Sequence, residues 1–241
     1  MSIWGKVIGG MAGFALGGPL GAMLGVGAGY AVDRMRDSGV ATAEDRRLAF
    51  TIAVIVLSAK MAKADGNVTR DEIAAFKRVF HIPPEEMKDV GRRFDEARQD
   101  ASGFEPYAKQ IAQLFAAEPA LLEELLGSLF HIAMADGHLH PRELDYLRRV
   151  AAIFGFDARV FDRIRASLRE SENEDPHTVL GIAQGATDAE LKRVYRKLSR
   201  ENHPDTLIAQ GLPQEFIDLA NGKMAAINAA HDRIRKERGL A

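Results

Sequence analysis

Apolar and polar positions divide this chain into stretches of different character. From Val7 to Val32 no residue carries a charge. From about Glu44 to Leu168 apolar residues recur mostly at helical spacing. Within that stretch Leu48–Ala59, LAFTIAVIVLSA, is almost wholly apolar for twelve residues. That is too short to span a bilayer and suits a buried core helix. Thr69 with Glu72 forms a capping box, Pro83-Pro84-Glu85-Glu86 reads as a helix start, and Pro119 opens a helix carrying Leu121, Leu122, Leu125, Leu126, Leu129 and Ile132. About seven helices follow from this pattern, with no alternating strand. Further on, Leu191, Val194, Tyr195 and Leu198 make a stripe on a helix that Thr187 and Glu190 cap. Phe216, Leu219, Met224, Ile227, Ala230 and Ile234 mark another from about Gln214 to Arg235. The pattern predicts an all-α protein with an N-terminal segment at 1–36, a linker at 37–44, a helical domain at 45–170 and a C-terminal helical hairpin at 171–241.

The N-terminal stretch is long enough to cross a membrane. Its twenty-six uncharged residues make roughly 39 Å of helix, against a hydrocarbon core of about 30 Å. Gly5, Gly9, Gly13, Gly17, Gly21, Gly25 and Gly29 recur at every fourth position. In water each helical glycine costs about 1 kcal/mol relative to alanine, which argues against a soluble helix. In lipid the backbone has no other hydrogen-bond partner, and helix is enforced. This spacing lets two backbones approach closely, so Gly9, Gly13, Gly17, Gly21 and Gly25 are the candidate dimerisation stripe of a glycine-zipper helix. Lys6 stands before the stretch, while Arg34, Arg36, Arg46 and Arg47 follow it. That asymmetry predicts a single-pass span with the bulk of the chain in the cytoplasm.

Composition narrows the chemistry. The 32 basic and 34 acidic residues nearly cancel, so no bulk nucleic-acid binding is expected and any basic character is local. There is no cysteine, which excludes disulfides and thiolate zinc sites. No nucleophile–base pair, P-loop or metalloprotease motif is present, so no catalytic residue is assigned and the chain is not expected to be an enzyme.

The strongest local signal is TDAELKRVYRKLSRENHPD, Thr187 to Asp205. Lys192, Arg193, Arg196, Lys197 and Arg200 cover the helix surface outside the apolar stripe, with no acidic residue between Leu191 and Arg200. Pro204 disfavours helical geometry at His203, so the helix should stop near Asn202 and leave His203 and Asp205 on a stiff, exposed turn. A cationic helix leading into a rigid His-Pro-Asp turn is a docking surface for an acidic partner. With Asp175-Pro176-His177-Thr178-Val179-Leu180-Gly181-Ile182 ahead of it and a third helix behind, the region resembles the J domain of DnaJ-type co-chaperones. The resemblance implies an antiparallel helix pair with the turn at its tip. It also implies that His203, Pro204, Asp205 and the five basic residues contact a DnaK-type chaperone and accelerate its ATP hydrolysis. His177 stands where that family usually has Tyr, Thr206 where Lys is common, and Thr206–Pro213 makes a long connection.

The middle region carries an internal repeat. Ala64-Asp65-Gly66-Asn67-Val68 through Glu72-Ile73 matches Ala135-Asp136-Gly137-His138-Leu139 through Glu143-Leu144 at a constant offset of 71 residues. Each copy reads as a helix, an Asp-Gly turn whose glycine supplies positive φ, and a second helix beginning near a glutamate. The spacing equals positions 5 to 12 of an EF-hand loop, but Met61 or Ile132 and Lys63 or Met134 fall where the first ligands belong, so a self-contained calcium loop is excluded. The paired signature resembles the TerB-like tellurite-resistance domain, and the resemblance implies divalent-metal binding at the acidic turns, here Asp65, Glu72, Asp136 and Glu143. Helix capping without metal accounts for the same residues, and both readings stand. His138 and His140 could add ligands in the second copy.

A glycine-rich span, a TerB-like domain and a J domain in this order resemble the membrane-anchored DnaJ-type co-chaperones of bacterial inner membranes. The resemblance implies a protein that recruits a DnaK-type ATPase to the cytosolic face of that membrane, with the middle domain choosing clients or sensing stress. The alternative is a divalent-metal or stress-responsive TerB-like binding protein in which the J domain is secondary. Two measurements follow. Gly13→Ile with Gly17→Ile should weaken self-association in a membrane and leave insertion intact; unchanged association would assign the stripe another role. Millimolar divalent metal should raise the thermal midpoint of the middle domain, and Asp65→Ala with Asp136→Ala should remove the shift, whereas no shift with Ca²⁺, Mg²⁺, Mn²⁺ or Zn²⁺ would sink the metal reading.

Overall fold

A computed structural model describes residues 43–65, 73, 74, 76, 77, 82, 84, 87–99, 103–135, 137–168 and 174–240. The glycine stripe and the Thr69–Glu72 capping box lie outside these. Every described element is helical. Helix α1 (Ala43–Asp65) begins two residues inside the segment read as a linker. It is buried along its whole middle, from Leu48 to Ala62, on every side. A helix without a polar face must be enclosed. Here α2 (Met87–Gln99), α3 (Glu105–Leu114), α4 (Pro119–Ala133) and α5 (Pro141–Ile153) pack around it, and α6 (Ala158–Ser167) lies on α4. Several polar groups inside find partners, although the Ser58 hydroxyl has none among the described residues. The Thr51 hydroxyl donates to the Arg47 carbonyl at 3.0 Å, the Lys60 ammonium lies 5.0 Å from the centroid of the Tyr107 ring, and the Tyr146 hydroxyl donates to the Leu57 carbonyl at 2.8 Å. Burial pushes the Tyr146 phenol well above its ordinary range, so it remains a donor.

The helix start expected at Pro119 is present, whereas of the Pro83-Pro84-Glu85-Glu86 run only Pro84, in a turn, is among the described residues. Pro119 opens α4, and Pro141 opens α5 behind a capping box in which the Glu143 carboxylate accepts from the His140 backbone N–H at 3.0 Å. Between them Gly137 has φ 83°, the left-handed geometry expected after the Asp of the repeat.

The C-terminal region comprises α7 (Pro176–Leu180), α8 (Asp188–Glu201), α9 (Pro204–Gln210), a 3-10 turn (Gln214–Phe216) and α10 (Ile217–Glu237). Its own small core joins Val179, Leu180, Leu191, Leu198, Ile227 and Ile234. The division at residues 170/171 does not divide the packing. Leu207, Leu212, Phe216 and Ala220 belong to the core built around α1, while Ala166 of α6 belongs to the core of the C-terminal region. Phe50 of α1 meets Phe216 edge-on at 4.9 Å between ring centroids, and Phe115 at 6.3 Å. On the other side, Gly181 has φ 67°, and a Cβ there would lie 2.9 Å from the Arg163 Cδ. The glycine both closes α7 and lets α6 approach it.

Phe50 therefore holds both regions. Phe50→Ala should lower the unfolding free energy of the chain by about 3–5 kcal/mol in urea titration, the range for emptying a filled aromatic site. A loss under about 1 kcal/mol would mean that the two regions are not joined through this contact.

Candidate functional site

Helix α8 starts where its sequence directs. The Thr187 Oγ1 accepts from the Glu190 backbone N–H at 3.2 Å, and Asp188 and Glu190 occupy the first turn, where negative charge suits the helix dipole. Leu191 and Leu198 are buried and Val194 and Tyr195 partly so, which turns the rest of the helix to solvent. Lys192, Arg193, Arg196, Lys197 and Arg200 are all exposed. None of the five has an ion-pair partner among the described residues, so their charge is available to a partner.

The helix ends at Glu201, followed by Asn202, as the sequence predicts. Asn202 is buried, and its side-chain amide donates to the Leu198 carbonyl at 2.9 Å, which anchors the exit from α8. His203 then adopts φ −66°, ψ 129°, the extended geometry required before proline. The next residues differ from the expectation of a turn and a long connection. Pro204–Gln210 is a short helix with His203 as its N-cap and Pro204 in its first turn. Proline at that position lacks only an N–H that the helix would leave unbonded, so the residue that stops α8 also starts α9. The Asp205 backbone N–H donates to the His203 Nδ1 at 3.2 Å, and Gly211 at φ 110° closes α9, with the Leu212 N–H donating to the Leu207 carbonyl at 2.8 Å. The side chains of His203 and Asp205 remain 55% and 88% exposed. The tripeptide is thus rigid in backbone and open in side chain.

The antiparallel pairing of α8 and α10 is tied at both the centre and one end. The Tyr195 hydroxyl donates to Asn228 Oδ1 at 3.1 Å, and its ring stacks on His231 at 3.8 Å. Arg238, just beyond α10, reaches Asp188 at the start of α8 at 2.9 Å. Tyr195 was legible as part of an apolar stripe; its hydrogen bond was not. His177, which replaces the usual Tyr, is largely buried at the Asp175 cap of α7, with Nδ1 3.2 Å from the carboxylate.

Of the four carboxylates proposed for metal, Glu72 and Asp136 lie outside the described residues, as does the side chain of Asp65, the last residue of α1. Glu143 is buried, and its Oε2 serves the α5 cap. That is the role assigned to it by the capping alternative. His140 is the other half of this cap, its Nδ1 accepting from the Arg142 N–H at 3.2 Å, and His138 is exposed. Among the described residues no three His, Asp or Glu side chains are grouped for a metal ion.

One charged cluster escaped the sequence reading. Lys223 on α10 is only 2% exposed, and its ammonium donates to Glu124 Oε1 at 2.8 Å and Glu123 Oε2 at 3.1 Å, both on α4. Arg163 of α6 pairs with the other oxygen of Glu123. Burial by itself would raise the Glu123 carboxyl, but Lys223 and Arg163 together more than offset it and hold it below the usual carboxylate range. The available signal was spacing. Phe216, Ala220, Lys223, Ile227 and Ile234 follow the helical repeat, placing a lysine in an apolar stripe.

Comparison with known proteins agrees with this organisation. Residues 1–46 match the co-chaperone DjlA transmembrane domain, residues 51–166 the tellurite resistance protein TerB family, and residues 175–238 the DnaJ domain. Among the described residues no helix is long and apolar enough to cross a membrane, and the segment matched as transmembrane lies almost wholly outside them. No solved structure matches the chain. It is 32% identical to co-chaperone protein DjlA of Photobacterium profundum, covering 99% of this chain and 100% of that protein. With co-chaperone protein DjlA of Coxiella burnetii the identity is 31%, covering 98% of each, and with that of Vibrio cholerae 29%, covering 100% of each. With three domains matched in order and relatives aligned end to end, the chain belongs to the DjlA family of J-domain co-chaperones.

Proposed function

We propose that this co-chaperone stimulates the ATPase of a DnaK-type partner and recruits it to the cytosolic face of a bacterial inner membrane. The observation that carries this reading is the pairing of an open His203–Asp205 tip with a basic face that has no ion-pair partner among the described residues. The five cations draw an acidic surface toward α8 and set its orientation, chiefly by raising the encounter rate. The tip then engages with its backbone already ordered, so little conformational entropy is lost at contact. His203 supplies a ring nitrogen and Asp205 a carboxylate. The N-terminal segment, matched as a transmembrane domain, holds this surface at the membrane, and its glycine stripe pairs two copies. The middle domain selects client proteins or senses stress.

Single-turnover ATP hydrolysis by a DnaK-type chaperone tests the reading directly. Full-length wild type in lipid vesicles should accelerate turnover, and His203→Gln should reduce the acceleration to background. Arg196→Glu with Lys197→Glu should raise the half-maximal concentration at low salt, with the difference from wild type shrinking as salt screens the attraction. Equal stimulation by wild type and His203→Gln, or none by wild type, would overturn the proposal.

A further inference from the structure

The face of the C-terminal region that turns away from the partner surface is seated in the middle domain. Leu207, one turn into α9, is fully buried in the core around α1, and its N–H donates to the His203 carbonyl at 3.0 Å. The His-Pro-Asp backbone is therefore bonded to a residue that the middle domain encloses. Leu212 and Phe216 enter the same core after the α9 cap, with Phe216 against Phe50. Beyond them on α10, Lys223 reaches Glu123 and Glu124 of α4, and Arg163 completes a balanced set of two cations and two carboxylates. Buried ion pairs add little net stability compared with apolar packing, but they penalise any arrangement that leaves one charge alone. Lys223 therefore specifies one docking geometry, while the apolar residues supply most of the attraction.

This seating leaves the partner surface uncovered. His203, Asp205 and all five basic residues of α8 remain exposed while Leu207, Phe216 and Lys223 are buried. The arrangement suits a support for the tip and does not mask it.

We propose that the middle domain is the seat that orients the His-Pro-Asp segment for its ATPase partner, with Leu207, Phe216 and Lys223 as positioning residues that never touch that partner. The inference rests on the ATPase stimulation proposed above. Its mechanism is preorganisation. When the seat is loosened, α9 is no longer held on α1 and α4, and the tip must be ordered again at each encounter. The chemistry at the tip is unaltered, so the concentration dependence of stimulation should suffer and the plateau should not.

The test uses the full-length chain in lipid vesicles, titrated against a DnaK-type chaperone in single-turnover ATP hydrolysis, with amide hydrogen exchange read over α9. Lys223→Glu places three carboxylates together and should speed exchange in α9. It should raise the half-maximal concentration about tenfold at an unchanged plateau, since the lost term is one of preorganisation. Adding Glu124→Lys restores the charge balance in reversed order and should recover most of both losses. Phe216→Ala loosens the same seat from its apolar side and should reproduce the pattern without altering any charge. Variants that speed α9 exchange yet stimulate like wild type would overturn the proposal, and so would stimulation stronger than wild type, which would make the docking a restraint. Unchanged α9 exchange in both Lys223→Glu and Phe216→Ala overturns it too, because these residues would then not seat the segment. His203→Gln run in parallel separates the two ideas: if it stimulates normally the ATPase reading fails, whereas its loss beside an unaffected Lys223→Glu fails the seat alone.

Discussion

The enclosure of α1 governs the arrangement of everything else. A helix buried from Leu48 to Ala62 has no side that water can take, so its surroundings must supply a complete apolar sheath. Helices α2 to α5 cover most of it, and α9 with Phe216 packs on it as well. The C-terminal region is thus recruited by the same hydrophobic requirement that folds the middle domain. Its partner-facing side is what remains after that requirement is met.

Two sets of cations in the same region show how environment divides roles. Lys192 and Lys197 on α8 are exposed and carry their charge outward, where it acts over about a Debye length on an approaching surface. Lys223 on α10 is enclosed, paired with two carboxylates, and its charge is spent on register. The near balance of charge over the whole chain conceals this division. A family of positive side chains chosen by type alone would have grouped them together.

Proline 204 links the two halves of the site. It forces His203 out of helical geometry and so ends α8, then serves as the first residue of α9. The same residue therefore presents the histidine and starts the helix that carries Leu207 into the shared core. The tip owes its rigidity to this short segment being capped at one end by His203 and at the other by Gly211.

Much of this was written in local sequence. The Thr187 cap, the Leu191 and Leu198 stripe, the five-cation face, the proline start at Pro119 and the helix beginning near Glu143 all depend on neighbours within one or two turns, and each is found in the structure. The all-helical class and the burial of Leu48–Ala59 follow from periodicity and composition in the same way. Only tertiary structure decided that Thr206–Gln210 is helical, that Leu207, Leu212 and Phe216 leave their own domain's core for another, and that Lys223 pairs with Glu123 and Glu124 where α10 returns to α4.

 Lys223 lies 100 residues from Glu123 and 99 from Glu124 along the chain. Local propensity and spacing act over a few residues, whereas burial is settled by which distant surfaces exclude water together, and that is known only once the whole chain has folded.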